Sequence, residues 1–203
     1  YKRVIEGISK ARNYLGTDRV SALMTTSELS LNYPKEIIDN YLSNGFNSIF
    51  LRPLNPYGLA LNNTSWDLYF DNFVTFYKLA LNYIIDINIR GDFFVEEFTA
   101  ILLRKMLTPF TTGFVDLQSP AGIINSVVVY NYDGYVYASD ESRMLAEYHD
   151  YTFRLGYVTD KYENLFYGKK AQQIALIGGT EFIAGCADCA FQSYCGADPV
   201  RNY

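Results

Sequence analysis

Apolar positions recur at helical and then at strand spacing along the first hundred residues. Val4–Tyr14 fits a helix, and Val20–Thr26 (Val-Ser-Ala-Leu-Met-Thr-Thr) is an apolar run of the length of a buried strand. A polar stretch through Ser30 and Asn32 ends at Pro34, and proline suits the first turn of a helix, where its missing N–H is no loss. Ile37, Ile38, Tyr41 and Leu42 follow at helical spacing, and Asn44-Gly45 is a stop that allows left-handed backbone. Phe46–Leu51 then reads as a second buried strand. Strand, helix and strand with short connections predict a βαβ unit with parallel strands.

Further on, Ser65 opens a long helix to about Ile89. In it Trp66, Tyr69, Phe70, Phe73, Phe76, Tyr77, Leu81 and Ile84 surround most of the circumference, which predicts burial on several sides. This aromatic stripe reads as core. A second helix fits Val95–Leu107, ending before Pro109. The pattern changes near Asp116. Val127–Tyr137 is two β-rich runs around Asp133-Gly134, a hairpin signal, and Phe153–Val158 adds a short extended piece. Short helices fit Tyr162–Phe166 and Lys170–Ile177 before Gly178-Gly179. The expected division is therefore residues 1–115 and 116–203. One βαβ unit leaves its parallel strands unpaired, and parallel sheets are almost always extended and covered on both faces, so the first half is expected to belong to a larger barrel.

Composition narrows the function classes. With 203 residues and 49% hydrophobic content the chain can bury a substantial core. No apolar run approaches the ~20 uncharged residues that span a bilayer; Leu79–Ile89 comes nearest and carries Asp86 and two asparagines. A net charge of -5 and a pI near 4.9 exclude a basic nucleic-acid footprint, leaving a small molecule or another protein as the expected partner. The 19 tyrosines suit surfaces where a ring is half buried and its hydroxyl wet, although a compositional bias explains the count equally well. Asn62-Asn-Thr64 matches a glycosylation sequon, which carries no weight without a secretory signal.

Two groups of residues point to chemistry. Arg52-Pro-Leu-Asn-Pro-Tyr-Gly58 closes the second expected strand, and loops after parallel strands are where α/β proteins hold ligands. Arg52 is therefore a candidate, and Ser27, at the end of the first expected strand, is another. Near the C-terminus Cys186-Ala-Asp-Cys189-Ala-Phe-Gln-Ser-Tyr-Cys195 uses all three cysteines in a C-x2-C-x5-C pattern. An odd number of thiols and no signal peptide argue against disulfides. Buried structural thiols are the alternative, but three within ten residues favour a metal. The spacing serves zinc and iron–sulfur equally. The fourth ligand is open between Asp198, His149, an exogenous group and a cysteine beyond Tyr203. Because Tyr1 is not a methionine and a ligand is missing, both ends are expected to be cut from a longer chain.

Six segments in order carry a resemblance. They are Asp18–Thr26, Gly45–Leu54, Ser119-Pro-Ala-Gly122, Tyr130–Leu145, Phe153-Arg-Leu-Gly156 and Cys186–Tyr203. Together they resemble radical S-adenosylmethionine (SAM) enzymes with a C-terminal SPASM domain, and more narrowly the HxsB maturases of the His-Xaa-Ser peptide-modification system. The resemblance implies an α/β fold: a partial radical-SAM (β/α) barrel over residues 1–115, then a small α+β SPASM-like domain with a β-hairpin over 116–203. In that superfamily a [4Fe–4S] cluster on C-x3-C-x2-C reduces SAM to a radical that abstracts hydrogen from the substrate. That motif is absent here, so SAM and its cluster are expected only in a full-length parent, and this chain alone is expected to be inactive.

The SPASM pattern maps Cys186, Cys189 and Cys195 onto three ligands of an auxiliary [4Fe–4S] cluster whose fourth ligand falls past Tyr203. Gly134 matches the hairpin glycine. Ser119, Ser139 and Pro199 stand where the other auxiliary cluster would need thiols, so that cluster is expected to be absent. The implied partners are a precursor peptide and a partner maturase, with no nucleic acid or membrane, in the reducing cytoplasm. A non-catalytic module that uses iron–sulfur or zinc to support peptide or protein binding is the competing expectation.

Overall fold

The computed structural model describes residues 1–56, 65–114, 123–124, 126–196 and 198–200. Two compact units emerge, one built from Tyr1–Pro56 with the stretch up to Ala100, the other from Ile101 onward. The sequon, Ser119 and the Asp116 transition lie outside the described residues.

In the first unit, helix α1 (Lys2–Leu15) precedes α2 (Pro34–Ser43), which starts on its proline. Gly45 sits at φ 71° past the end of α2. Its N–H bonds Leu42 C=O at 2.9 Å and the Phe46 N–H bonds Tyr41 C=O at 3.1 Å, the paired closure of a Schellman cap. Arg12 of α1 donates to the carbonyls of Asn44 (2.6 Å) and Gly45 (3.2 Å) and lies over the Phe46 ring at 4.4 Å. Strand β1 (Ser48–Ile49) follows within three residues of the glycine. Helix α3 (Trp66–Ile89) ends in the same way: Gly91 at φ 101°, with Gly91 N–H to Asn88 C=O and Asp92 N–H to Ile87 C=O, leads into β2 (Val95–Glu96). The two strands pair in parallel, Ser48 with Val95 and Ile49 with Glu96.

Three expectations change here. Val20–Thr26 forms no strand: one single-turn helix precedes it, and its tie to the neighbouring segment is Thr26 N–H to Arg52 C=O at 3.0 Å. Its inward residues Met24 and Thr26 are nevertheless buried, so the apolar run reports burial rather than ladder pairing. Val95 and Glu96 are strand rather than helix. Val95 donates its N–H to Asn47 C=O (3.0 Å), and α4 (Glu97–Leu107) begins only after it. Helix α3 is buried along one stripe, Tyr69, Phe76, Ala80, Ile84 and Ile87, while Leu68, Val74, Leu79, Ile85 and Ile89 are exposed. Apolar residues all round a helix do not bury it all round; what packs against it decides. Ser65 makes no side-chain cap bond.

The first core joins Met24, Ile38, Ile49, Leu51, Phe76, Ile84, Ile87 and Phe94. Each such side chain contributes on the order of 1.5–3 kcal/mol on leaving water.

In the second unit, β3 (Val129–Tyr130), β4 (Tyr135–Tyr137) and β5 (Arg154–Tyr157) form an antiparallel sheet with β4 central. The β3–β4 turn is closed by Gly134 N–H to Asn131 C=O and by Tyr135 N–H to the Asp133 carboxylate. Helices α5 (Asp140–Glu147), α6 (Tyr162–Tyr167) and α7 (Lys169–Ile177) follow, and the core gathers Ile123, Ala138, Phe153, Ile174 and Val200. No helix among the described residues is long and apolar enough to cross a membrane.

Gly134 tests the turn. Its φ is +81°, and an added Cβ would stand 2.5 Å from the Tyr157 ring. Gly134→Ala is expected to cost about 1–2 kcal/mol from the left-handed backbone, with a further cost from displacing Tyr157, read as a lower denaturation midpoint.

Candidate functional site

The end of β1 and the segment before the first α-helical proline meet at one point. Thr26 N–H bonds Arg52 C=O, which puts Ser27 and Arg52 on adjoining segments. Tyr69, 2% exposed, reaches this point from α3 and joins both sides: its hydroxyl donates to Thr26 C=O (2.6 Å) and accepts from Leu54 N–H (2.8 Å). Burial raises the Tyr69 pKa against the lowering effect of the Leu54 bond, so the phenol stays a donor.

The two sequence-derived candidates differ in engagement. Ser27 is exposed and is used locally, its Oγ 2.9 Å from Ser30 Oγ and accepting the Ser30 N–H, which starts the turn Leu29–Asn32. Arg52 is half-buried, its guanidinium lies 5.7 Å from the Phe50 ring centroid, and it makes no ion pair among the described residues. An open cleft of about 490 Å³ adjoins, lined by Glu28, Asn32, Ser65, Tyr69, Asn72 and Leu79 among others. One carboxylate and no cation line it, so it suits a neutral polar or cationic group.

Behind this point lies Glu96, 3% exposed. Its Oε1 accepts Leu51 N–H (3.1 Å); its Oε2 accepts Thr99 N–H (2.6 Å) and the Tyr77 hydroxyl (2.5 Å). Burial, and then the bond to Glu96, raise the Tyr77 pKa strongly, so Tyr77 remains the donor. The sequence pattern absorbs Glu96 into a helix and Tyr69 into a core stripe. Glutamate is not among the preferred N-cap residues, which hides the Glu96 role, and nothing in a helical stripe marks which aromatic hydroxyl will find backbone.

The cysteines lie on consecutive turns of the second unit. Cys189 N–H bonds Cys186 C=O (3.1 Å), Gln192 N–H bonds Cys189 C=O (3.0 Å), and Cys195 N–H bonds Phe191 C=O (3.0 Å). Cys186 is half-buried and the other two are exposed, all as free thiols. Three soft thiols on one run of turns fit a soft metal in kind. Their side chains are not gathered: among the described residues no three His, Cys, Asp or Glu side chains stand in metal-binding arrangement. His149 is 3.3 Å from the Tyr151 hydroxyl, and Asp198 accepts Val200 N–H. Lys105, in the last turn of α4, has a buried Nζ without a hydrogen-bond partner among the described residues; burial lowers its pKa and the Cys195 thiol opposes that.

Ser139 and Ser142 close a capping box at α5. Ser142 N–H bonds Ser139 Oγ (3.2 Å) and Ser139 N–H bonds Ser142 Oγ (2.8 Å), with both residues buried. Pro199 is buried near Gly178.

No protein-family model matches the chain, and no curated protein matches it in sequence. Solved structures share its fold. Native anSMEcpe with bound AdoMet superimposes with a TM-score of 0.64 at 14% identity, covering 96% of this chain and 55% of that one. The same protein with AdoMet and Cp18Cys peptide gives 0.67 at 15% identity, over 96% and 51%. With Kp18Cys peptide the values are 0.61 and 16%, over 92% and 50%. This chain thus spans about half the length of the structures it resembles.

Two outcomes follow from the hydrogen bonding. Tyr69→Phe leaves a buried carbonyl and an N–H without their partner, and is expected to cost about 1–3 kcal/mol in urea unfolding. Tyr137, 1% exposed, has its pKa pushed up to about 12 by burial and then by its bond to Asp133. An unfolded tyrosine titrates near ~10, so the folded state binds the proton more tightly. This contribution is complete below that pH and is lost as pH rises through about 12. Wild type should lose stability across that window more steeply than Tyr137→Phe.

Proposed function

We propose that this chain is part of a radical SAM peptide-modifying maturase, of the His-Xaa-Ser type at the finest reading. Residues 1–115 supply the later part of the barrel and residues 116–203 a SPASM-like auxiliary region. The observation that carries this is the fold shared over 96% of the chain with anSMEcpe, solved with bound AdoMet and Cp18Cys peptide. The six sequence segments point the same way independently.

Within this reading Ser27 and Arg52, held side by side, contact SAM or substrate in the intact barrel. Cys186, Cys189 and Cys195 are three ligands of an auxiliary [4Fe–4S] cluster. Such a cluster would supply one-electron chemistry or a fold-stabilising staple; structural metal sites are worth roughly 10 kcal/mol or more. The chain's own residues bind and orient the precursor peptide, in the cytoplasm and alongside a partner maturase. Lacking C-x3-C-x2-C, the chain has no means of holding the SAM-reducing cluster and is inactive alone.

The competing reading is a non-catalytic module stabilised by zinc or iron–sulfur that binds peptide or protein, because the C-x2-C-x5-C spacing serves either metal. Anaerobic reconstitution with iron and sulfide separates the two. The maturase reading expects broad visible absorbance that is bleached by a reductant and abolished by Cys186→Ser, Cys189→Ser or Cys195→Ser. A colourless protein that retains zinc by elemental analysis sinks the cluster assignment.

A further inference from the structure

We propose that Glu96 is a positioning residue for Arg52, which rests on the reading of Arg52 as a ligand contact. The segment Leu51–Leu54 is fixed at three points. Leu51 N–H goes to Glu96, Arg52 C=O receives Thr26 N–H, and Leu54 N–H goes to Tyr69. Glu96 is the anchor immediately before Arg52, and it is the one that ties this segment to another strand and to a second helix. Ile49 pairs with Glu96 across the sheet, so the carboxylate extends the β1–β2 pairing to Leu51, two residues beyond the ladder. Its other oxygen holds the first turn of α4 through Thr99 N–H, and α3 through the Tyr77 hydroxyl, which also lies 2.7 Å from Thr99 Oγ1.

The chemistry requires a carboxylate. Three donors converge on two oxygens, and a carboxylate offers acceptor sites on both. A glutamine would have to turn its NH2 toward either Leu51 N–H or the Tyr77 and Thr99 donors, opposing donor to donor. A buried carboxylate costs solvation that only complete pairing offsets, so this geometry is demanding. The guanidinium of Arg52 has no ion pair among the described residues, so its direction is set by the backbone that Glu96 holds and by the Phe50 ring.

Tyr77→Phe supplies the control: it removes one bond to Oε2 and leaves Oε1 on Leu51. The experiment measures AdoMet binding by calorimetry on the full-length maturase that the proposed function implies, with its SAM cluster reconstituted, and amide hydrogen exchange on this chain. Arg52→Ala and Glu96→Gln are each expected to weaken AdoMet binding by about tenfold or more. Tyr77→Phe should bind like wild type although its melting temperature falls. Exchange should accelerate at Thr26 and Leu51–Leu54 in Glu96→Gln alone, with the α2 and α3 amides unchanged.

Equal binding by Glu96→Gln and wild type, equal loss in Tyr77→Phe, or a uniform rise in exchange would each overturn the positioning role. If Glu96→Gln does not fold, Glu96→Asp, which keeps the Thr99 cap and loses reach to Leu51, carries the same readout. If the wild-type full-length protein itself fails to bind AdoMet, the ligand reading of Ser27 and Arg52 falls. The exchange map then decides the link alone, and unchanged protection at Leu51–Leu54 refutes it.

Discussion

A single buried carboxylate organises the first unit. Glu96 is out of water and accepts from one strand-end amide, one helix-start amide and one phenol. The penalty for burying the group is large, which makes its complete pairing a condition of the fold rather than an ornament. A two-residue strand pair has too few ladder bonds to define its own register. The carboxylate adds a bond beyond the ladder and binds the pair to α3 and α4, so two short strands behave as one fixed junction.

The surrounding chain repeats one device. Helix α2 ends on Gly45 and α3 on Gly91, each with its N–H bonds folded back in the same closure, and each releases the chain into a parallel strand a few residues on. Left-handed backbone at the glycine aims the strand back along the helix, and the strand's end is where Arg52 and Glu96 emerge. The candidate site is thus a product of helix termination: two glycines determine where the two strand ends arrive, and Tyr69 and Glu96 hold them there.

Much of this was readable from the chain. Pro34 marks the start of α2 and the apolar run marks α3, while Ser27 was read as the end of a strand that does not form and meets the Arg52 segment through the Thr26 N–H instead. What escaped was pairing between distant residues. The run Val20–Thr26 is apolar because Met24 and Thr26 face a core, and periodicity cannot distinguish that from a strand. Phe93-Phe94-Val95 continues smoothly into helical spacing, so the switch from strand to helix at Glu96 depends on Leu51, forty-five residues away. The cysteines were conspicuous by spacing, yet spacing does not orient sulfurs, and it gives only the run of turns on which they lie.

The serine pair at α5 has a different implication. Ser139 and Ser142 hold the start of that helix through hydroxyl and amide bonds alone, beside a sheet whose turn is held by Asp133 and Gly134. These bonds join oxygen and nitrogen, so a change in the oxidation state of the thiols at Cys186, Cys189 and Cys195 breaks none of them. The start of α5 and the β3–β4 turn are therefore held independently of the redox state of the three cysteines.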